Sequence, residues 1–407
     1  MTRIAIISSI AYSLANFRGP LIADMIACGG RVYALAPDYD EETRARVRAL
    51  GAEPIDISLE RTGMKPVRDI ADMIRLAAVL RRLRIELAFN YFAKPVIFGT
   101  LAAAIAGVPR RHALIAGLGY VFTPDGAPPP LRRRILQHVV SQLYRIALRF
   151  AHRVFFQNQD DLDQFVDAGL IDRGRGVRLN GTGVDIEKLF PSAPPAAPIT
   201  FLLMARLLRE KGIAEFVEAA RILKRDFPDA RFVLLGGPDP NPGGLTIAQV
   251  AAWRDEGVIE WPGHVDDVLP WIRNSSVYVL PSWREGVPRS TQEAMAIGRA
   301  VVTTDTVGCR ETVIPSVNGF LVPLRDPPEL AAAMRRFLDD PALITSMGLA
   351  SRSLAESRFD VREINRRMLA EMNICPLDGP SEEVGQKPQP ISPMERPPSD
   401  PLGTMKR

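Results

Sequence analysis

Cysteine is scarce in this chain. There are three in 407 residues, Cys28, Cys309 and Cys375, odd in number and far apart. That excludes a disulfide-framed scaffold and a thiolate zinc site, and it predicts reduced thiols. Long apolar runs are missing too: none reaches the roughly 18 residues a membrane-spanning helix needs. The opening "MTRIAIISSIAYSLANFRG" has a short apolar core but no small-residue cleavage site after a long apolar stretch. It reads as a buried first strand, and the chain is expected to be cytoplasmic. No G-x-G-x-x-G follows that strand, which makes a dinucleotide-dependent dehydrogenase a poor reading.

What remains is ordinary for a globular protein, with 46% apolar and 24% charged residues. The length is too great for one core and suits two domains. Charge is uneven. Residues 1–195 carry 26 Lys and Arg against 19 Asp and Glu, while the remainder carries 25 against 28. A basic first half beside a near-neutral second half points to an anionic partner of the first half. Nucleic acid, an acidic membrane surface and a phosphorylated substrate all qualify.

Strand-like runs alternate with helical segments. The runs are "RIAIISS" (3–9), "RVYALAP" (31–37), "ELAFNYF" (86–92), "RHALIAG" (111–117) and "RVFFQN" (153–158). After a Pro/Ala linker at 191–198 the pattern restarts with "ITFLLMAR", "ARFVLLGG", "IEWPG", "VYVLPS" and "AVVTTD". This predicts an α/β protein of two doubly wound, Rossmann-like domains facing a central cleft. The first spans 1–192, with a helix near 355–375 packing back on it; the second spans 199–354. The Pro-rich stretch 376–407 is expected to be disordered.

The sharpest chemistry lies in "LPSWREGVPRSTQEAMAIGRAVVTTD", which reads strand, loop, helix, strand. Pro288 suits a helix start and Gly298 its stop. First-turn amides of such a helix favour phosphate. Glu285, in the loop, and Glu293, inside the helix, each suit a vicinal diol, because a carboxylate accepts two hydrogen bonds. A diphosphate with a sugar at one end and a ribose at the other fits this layout. Its departure needs cations, and Arg206 and Lys211 follow a strand, with Gly212 letting a helix start beside them. The bland reading makes both cations surface charges and both glutamates a cap and a helix-face residue. The joint pattern argues against it.

The Glu-x7-Glu pattern, with "ARLLREKGI" (205–213), closely resembles the donor site of family-four retaining glycosyltransferases of GT-B fold. The resemblance covers 1–372. It assigns Arg206 and Lys211 to the donor diphosphate, Glu285 to the transferred sugar with the backbone of Gly286, Val287 and Pro288 beside it, and Glu293 to the ribose diol. Arg289 is carried as a further substrate-binding residue. Val287 departs from the usual Phe or Leu. Gly236, with Gly237, reads equally as a turn near the donor phosphates or as a structural turn. Trp261 and His264 fall where the family's nucleobase pocket lies. The resemblance implies no cofactor, no metal and a front-face mechanism in which the leaving diphosphate helps take the acceptor proton.

In the first domain the loop "SSIAYSLANFRGPL" (8–21) ends on Gly19-Pro20 opening a helix. Its amides and Arg18, with Asn16, form a candidate anion site. "NYFAKPVIFGTLAAAIAGV" and "IAGLGYVFT" resemble a subgroup that builds bacterial surface saccharides on polyprenyl diphosphate. Lys94 and His112 stand at strand ends facing the cleft, as acceptor-side groups or as core and surface residues. Asp38 and Asp40, and the acids of "DLD" at 161–163, read as loop and helix-cap acids rather than metal ligands. The segment 128–156 reads as a helix with apolar positions Leu131, Ile135, Val139, Leu143, Ile146 and Phe150, and Arg132, Arg133, Arg134, Arg145 and Arg149 at the other positions. It lies on an anionic bilayer or packs one face on the domain.

Together these expectations describe a retaining, metal-independent transferase. It moves a sugar, an N-acetylhexosamine for example, from a UDP-sugar to a lipid-linked saccharide at the inner face of the cytoplasmic membrane, with no nucleic-acid partner. A nucleotide-sugar epimerase or hydrolase of the same fold is one rival. A non-catalytic basic lipid- or RNA-binding protein is the other, and it leaves the glutamate pair unexplained.

Overall fold

The computed structural model describes residues 1–60, 65–118, 122, 130–239, 241 and 243–375. The tail at 376–407 lies outside the described residues.

The first half runs β1 (Arg3–Ile7), α1 (Ala11–Asn16), α2 (Gly19–Ala27), β2 (Arg31–Ala36), α3 (Glu41–Ala49), β3 (Glu53–Asp56) and α4 (Pro66–Arg82). It continues through β4 (Leu87–Tyr91), α5 (Thr100–Ile105), β5 (Arg110–Ile115), α6 (Leu131–Leu148), β6 (Arg153–Phe156), α7 (Gln159–Asp167) and β7 (Gly176–Arg178). The second half begins β8 (Thr200–Met204), α8 (Ile213–Lys224), β9 (Arg231–Leu235), α9 (Ile247–Asp255), β10 (Glu260–Gly263) and α10 (Leu269–Arg273). It ends β11 (Val277–Leu280), α11 (Arg289–Ile297), β12 (Ala300–Thr304), β13 (Gly319–Val322), α12 (Pro327–Asp339), α13 (Ala342–Arg358) and α14 (Val361–Glu371).

Two parallel sheets result, ordered β3-β2-β1-β4-β5-β6-β7 and β10-β9-β8-β11-β12-β13. Their strands are apolar on both faces because helices cover both. Ile4 and Ile6 of β1 enter one core cluster, and Ala5 and Ile7 enter another. Phe201 and Leu203 of β8 likewise separate from Leu202 and Met204. In each sheet the order reverses beside the first strand of its domain, between β1 and β4 and between β8 and β11. The crevice beyond the strand ends at such a switch point is where ligands settle.

α13 stays with the second domain, against α11 and β12, while α14 packs on α2 of the first. Asn365 of α14 donates to Asp24 of α2 at 2.7 Å. This return corrects the expectation of three reduced thiols. Cys28, which caps α2, is disulfide-bonded to Cys375 across 347 positions, with Cα atoms 6.1 Å apart. Wide spacing argued against a bridge, but closure of the fold by α14 sets the distance. Cys309 is buried and free.

A second correction concerns 8–21, which is not one loop. Ala11–Asn16 coil into α1, whose first amide donates to Asp38 at 2.6 Å. No helix of the described residues is long and apolar enough to cross a membrane.

Candidate active site

Three segments meet at the crevice of the second domain. Past β8, Arg209–Lys211 make one 3-10 turn, and Gly212 starts α8 with φ 71°. Lys211 Nζ is ion-paired to Glu285 Oε1, both side chains largely buried. Ser282 Oγ lies 2.7 Å from Glu285 Oε1 and 2.9 Å from the Glu210 carbonyl oxygen. The Trp283 amide donates to that same carbonyl at 2.9 Å. Behind the loop, the hydroxyls of Thr304 and Thr306 donate to the Ser282 carbonyl. The loop after β11 is thus fastened to the turn after β8, and Lys211 and Glu285 are held together.

α11 then starts at Arg289 after Pro288, with neither a side-chain cap nor an acid in its first turn. Its N-terminal amides remain available to an anion, as the helix dipole favours. Glu293 sits one turn in, bonded by Arg289 Nε at 2.9 Å. Arg289 also crosses to the first domain, where it donates to the Asn16 carbonyl at 2.5 Å and lies over the Phe17 ring. Both carboxylates therefore face cations flanking a helix N-terminus. Such an arrangement can grip a pyrophosphate between hydroxyl-bearing groups.

The other sequence-predicted residues divide. Arg206 is half exposed and paired to the buried Asp239, a partner the sequence did not suggest. Gly286 and Val287 line the seam between domains. A Cβ on Gly117 would stand 3.3 Å from the Gly286 amide nitrogen, and one on Gly181 3.0 Å from Val287 Cβ. At Gly236 the amide donates to the Gly263 carbonyl, and the carbonyl accepts from Trp261 Nε1. Asn16 offers its carbonyl to the seam, while its side chain accepts from Arg46. Arg18 is buried against Tyr91. His264 is exposed.

Lys94 is bound to Asp69 at 2.7 Å just past β4. His112 is not at the cleft. It sits in the amino-terminal half of β5, paired with Phe89 and Arg153, and burial holds its pKa down to about 3. Asp40 forms a capping box with Thr43. No group of three or more His, Cys, Asp or Glu suited to a metal occurs among the described residues.

"DLD" needs correcting as well. Asp161 is fully buried and ion-paired to Arg284 of the other domain, itself 9% exposed. Asn158 caps the start of α7, with Asp161 Oδ2 at 3.0 Å and the Gly286 carbonyl at 2.6 Å from its amide nitrogen. The residue beside Glu285 is thereby anchored across the cleft. Removing one partner of such a buried pair costs about 3–5 kcal/mol. Burial raises the Asp161 pKa, and Arg284 opposes that rise. Nothing in the sequence links positions 123 apart, so pattern reading could not find this pair.

Residues 198–340 match the family described as glycosyl transferases group 1. The N,N'-diacetylbacillosaminyl-diphospho-undecaprenol alpha-1,3-N-acetylgalactosaminyltransferase of Campylobacter jejuni is 29% identical, over 90% of this chain and 97% of that one. The UDP-Gal:alpha-D-GlcNAc-diphosphoundecaprenol alpha-1,3-galactosyltransferase of Escherichia coli is 23% identical, over 68% and 72%. Among solved structures, HepE of Anabaena with UDP-glucose superposes with a TM-score of 0.73 at 16% identity, covering 92% of this chain and all of that one. Sucrose-phosphate synthase of Thermosynechococcus elongatus gives 0.72 at 20% identity, over 90% and 97%. The chain is a glycosyltransferase of GT-B fold whose second domain is a glycosyl transferases group 1 domain.

Proposed function

We propose that this protein transfers a sugar, with retention, from a UDP-sugar to a saccharide carried on a polyprenyl diphosphate. The observation that carries the reading is the buried Lys211–Glu285 pair beside the uncapped start of α11. Two similar proteins, from Campylobacter jejuni and Escherichia coli, are named for work on diphospho-undecaprenol sugars. An N-acetylhexosamine is the sugar we put first.

In this reading the donor diphosphate displaces Lys211 from Glu285 and lies along Lys211, Arg206 and the α11 amides. Charge grows on the leaving oxygen as the glycosidic bond breaks, and these groups stabilise it. Glu285, freed, accepts hydrogen bonds from the sugar, and Glu293 accepts them from the ribose diol. The acceptor oxygen attacks from the face the diphosphate leaves, and the diphosphate takes its proton. No metal or organic cofactor enters. Closed domains exclude the water that would hydrolyse the donor.

Incubation of purified protein with UDP-N-acetylhexosamines, with and without a prenyl-diphosphate sugar, tests this. Product of retained anomeric configuration is expected only when the acceptor is present. Turnover of donor alone at the same rate favours the epimerase or hydrolase reading and overturns ours.

The acceptor implies work at a membrane, on the cytoplasmic face where we infer the donor is met. Disulfides are uncommon in that compartment; with Cys28–Cys375 reduced, α14 still has its apolar contacts with the first domain. α6 exposes Leu131, Ile135, Val139 and Ile146, with exposed Phe150 just past its end, while its inner face packs through Tyr144, Ala147 and Leu148. α4 adds exposed Val67, Ile70 and Ile74. Basic side chains surround these positions, each worth about 1 kcal/mol near an anionic bilayer. Changing Arg132 and Arg134 to Glu should release the protein from phosphatidylglycerol vesicles in a sedimentation assay. Binding equal to wild type rules α6 out.

A further inference from the structure

Arg18 is an unusual cation. It is 3% exposed, lies 5.4 Å over the Tyr91 ring, and its buried Nε has no hydrogen-bond partner. A buried charge without a partner is costly, and proteins normally pair or neutralise it. Burial and the nearby Arg289 lower its pKa only to about 10, so it stays charged at neutral pH. Of the groups around it, Tyr91 alone favours the charge. The Tyr91 hydroxyl is taken up with Ser13 at 2.7 Å, and the one acid beside Arg289, Glu293, is bonded to Arg289 itself.

Position adds a second argument. Arg18 precedes α2, a nine-residue helix without a side-chain cap or first-turn acid. It stands beyond β1 at the switch point of the first sheet, on the seam that Arg289 crosses to reach Asn16. Arg206 and Lys211 stand beyond β8, in the other domain. There are therefore two cationic centres on facing domains, and only the second has carboxylates ready to be displaced.

We propose that Arg18, the N-terminus of α2 and Arg289 form a second phosphoryl subsite, which binds the diphosphate of the acceptor, separate from the donor diphosphate site at Arg206 and Lys211. A sugar linked directly to a prenyl diphosphate puts its phosphates one ring from the attacking hydroxyl, so a cation facing the donor site is where such an acceptor needs one. Separation of the domains uncovers the seam for entry. The inference rests on the reading of a diphosphate-linked acceptor.

The test uses the full chain and two probes, UDP and farnesyl diphosphate, with farnesol as the phosphate-free control. Titration calorimetry compares wild type with Arg18→Gln and Arg18→Lys. Loss of a charge-assisted contact should weaken farnesyl diphosphate about tenfold to a hundredfold in Arg18→Gln, leaving UDP unchanged. Arg18→Lys should retain part of that affinity. Without ligand, Arg18→Gln should melt at or above the wild-type temperature, because an uncompensated buried charge has been removed; a structural arginine would lower it. The proposal fails if UDP binding falls while farnesyl diphosphate is unaffected, since the cation then serves the donor. It also fails if neither probe changes, if both fall equally, or if farnesol binds as tightly as its diphosphate. Wild type that binds UDP but not farnesyl diphosphate removes the subsite alone. Wild type that binds neither removes the transferase reading with it.

Discussion

Lys211→Ala should lower turnover about 10²–10³-fold, the scale of losing one preorganised donor to a developing oxyanion. The reason is burial. Arg206 is half exposed and shares its charge with Asp239, so solvent weakens whatever it offers the diphosphate. Lys211 is mostly enclosed and has one partner to leave, Glu285. Its removal also strands the Glu285 carboxylate with Ser282 alone, and an anionic donor then approaches an uncompensated negative charge. KM for the donor should therefore rise as kcat falls. Glu285→Gln keeps the shape and the Ser282 contact, frees Lys211, and removes the acceptor strength the sugar needs. A fall of similar order is expected. The double variant should be about as slow as the worse single one, because the two side chains act as one unit. Initial rates with a UDP-sugar and lipid acceptor measure all three, with thermal melting to show that the fold survives. Near wild-type rates in both single variants would end the catalytic assignment.

Much of this architecture could be read beforehand, and the reasons are local. Central strands such as β1, β8 and β12 are apolar on both faces and stand out as runs. β3 (EPID), β7 (GVR) and β13 (GFLV), short strands at the sheet edges, did not. α1 hid inside an apparent loop because its start is fixed from elsewhere, by Asp38. At the candidate site, Glu285, Glu293 and Lys211 were legible as a group, since a fixed spacing around one helix start singles them out. Arg289 was legible as a neighbour, but not as a bridge to Asn16. The pairings of Asp239, Asp161 and Arg284 were invisible: their partners lie 33 or 123 positions away, and only the folded chain joins them. The Cys28–Cys375 bridge is the extreme of the same kind, and here spacing misled outright.

The backbone beneath Lys211 leads to the second large effect. Gly212 has φ 71°, where a side chain is strained by roughly 1–2 kcal/mol. A Cβ there would also drive into the Pro281 carbonyl oxygen and approach Pro281 Cγ to 2.8 Å. Neither neighbour can yield cheaply. Pro281 follows β11 and begins the loop that carries Ser282 and Glu285, so relief must move either that loop or the Lys211 turn. Gly212→Ala should thus cost about 3 kcal/mol or more, and about 6–12 °C in Tm at 2–4 °C per kcal/mol. Gly169 supplies the control. Its φ is 61°, but nothing lies within 4 Å of an added Cβ, so Gly169→Ala should bear the conformational strain alone. If strain were the whole effect, the two variants would melt alike. If the contact with Pro281 matters as argued, Gly212→Ala melts well below Gly169→Ala and loses UDP affinity with it, while Gly169→Ala binds UDP as wild type does. Equal melting and intact nucleotide binding in Gly212→Ala would mean that the turn after β8 does not set the position of the cation.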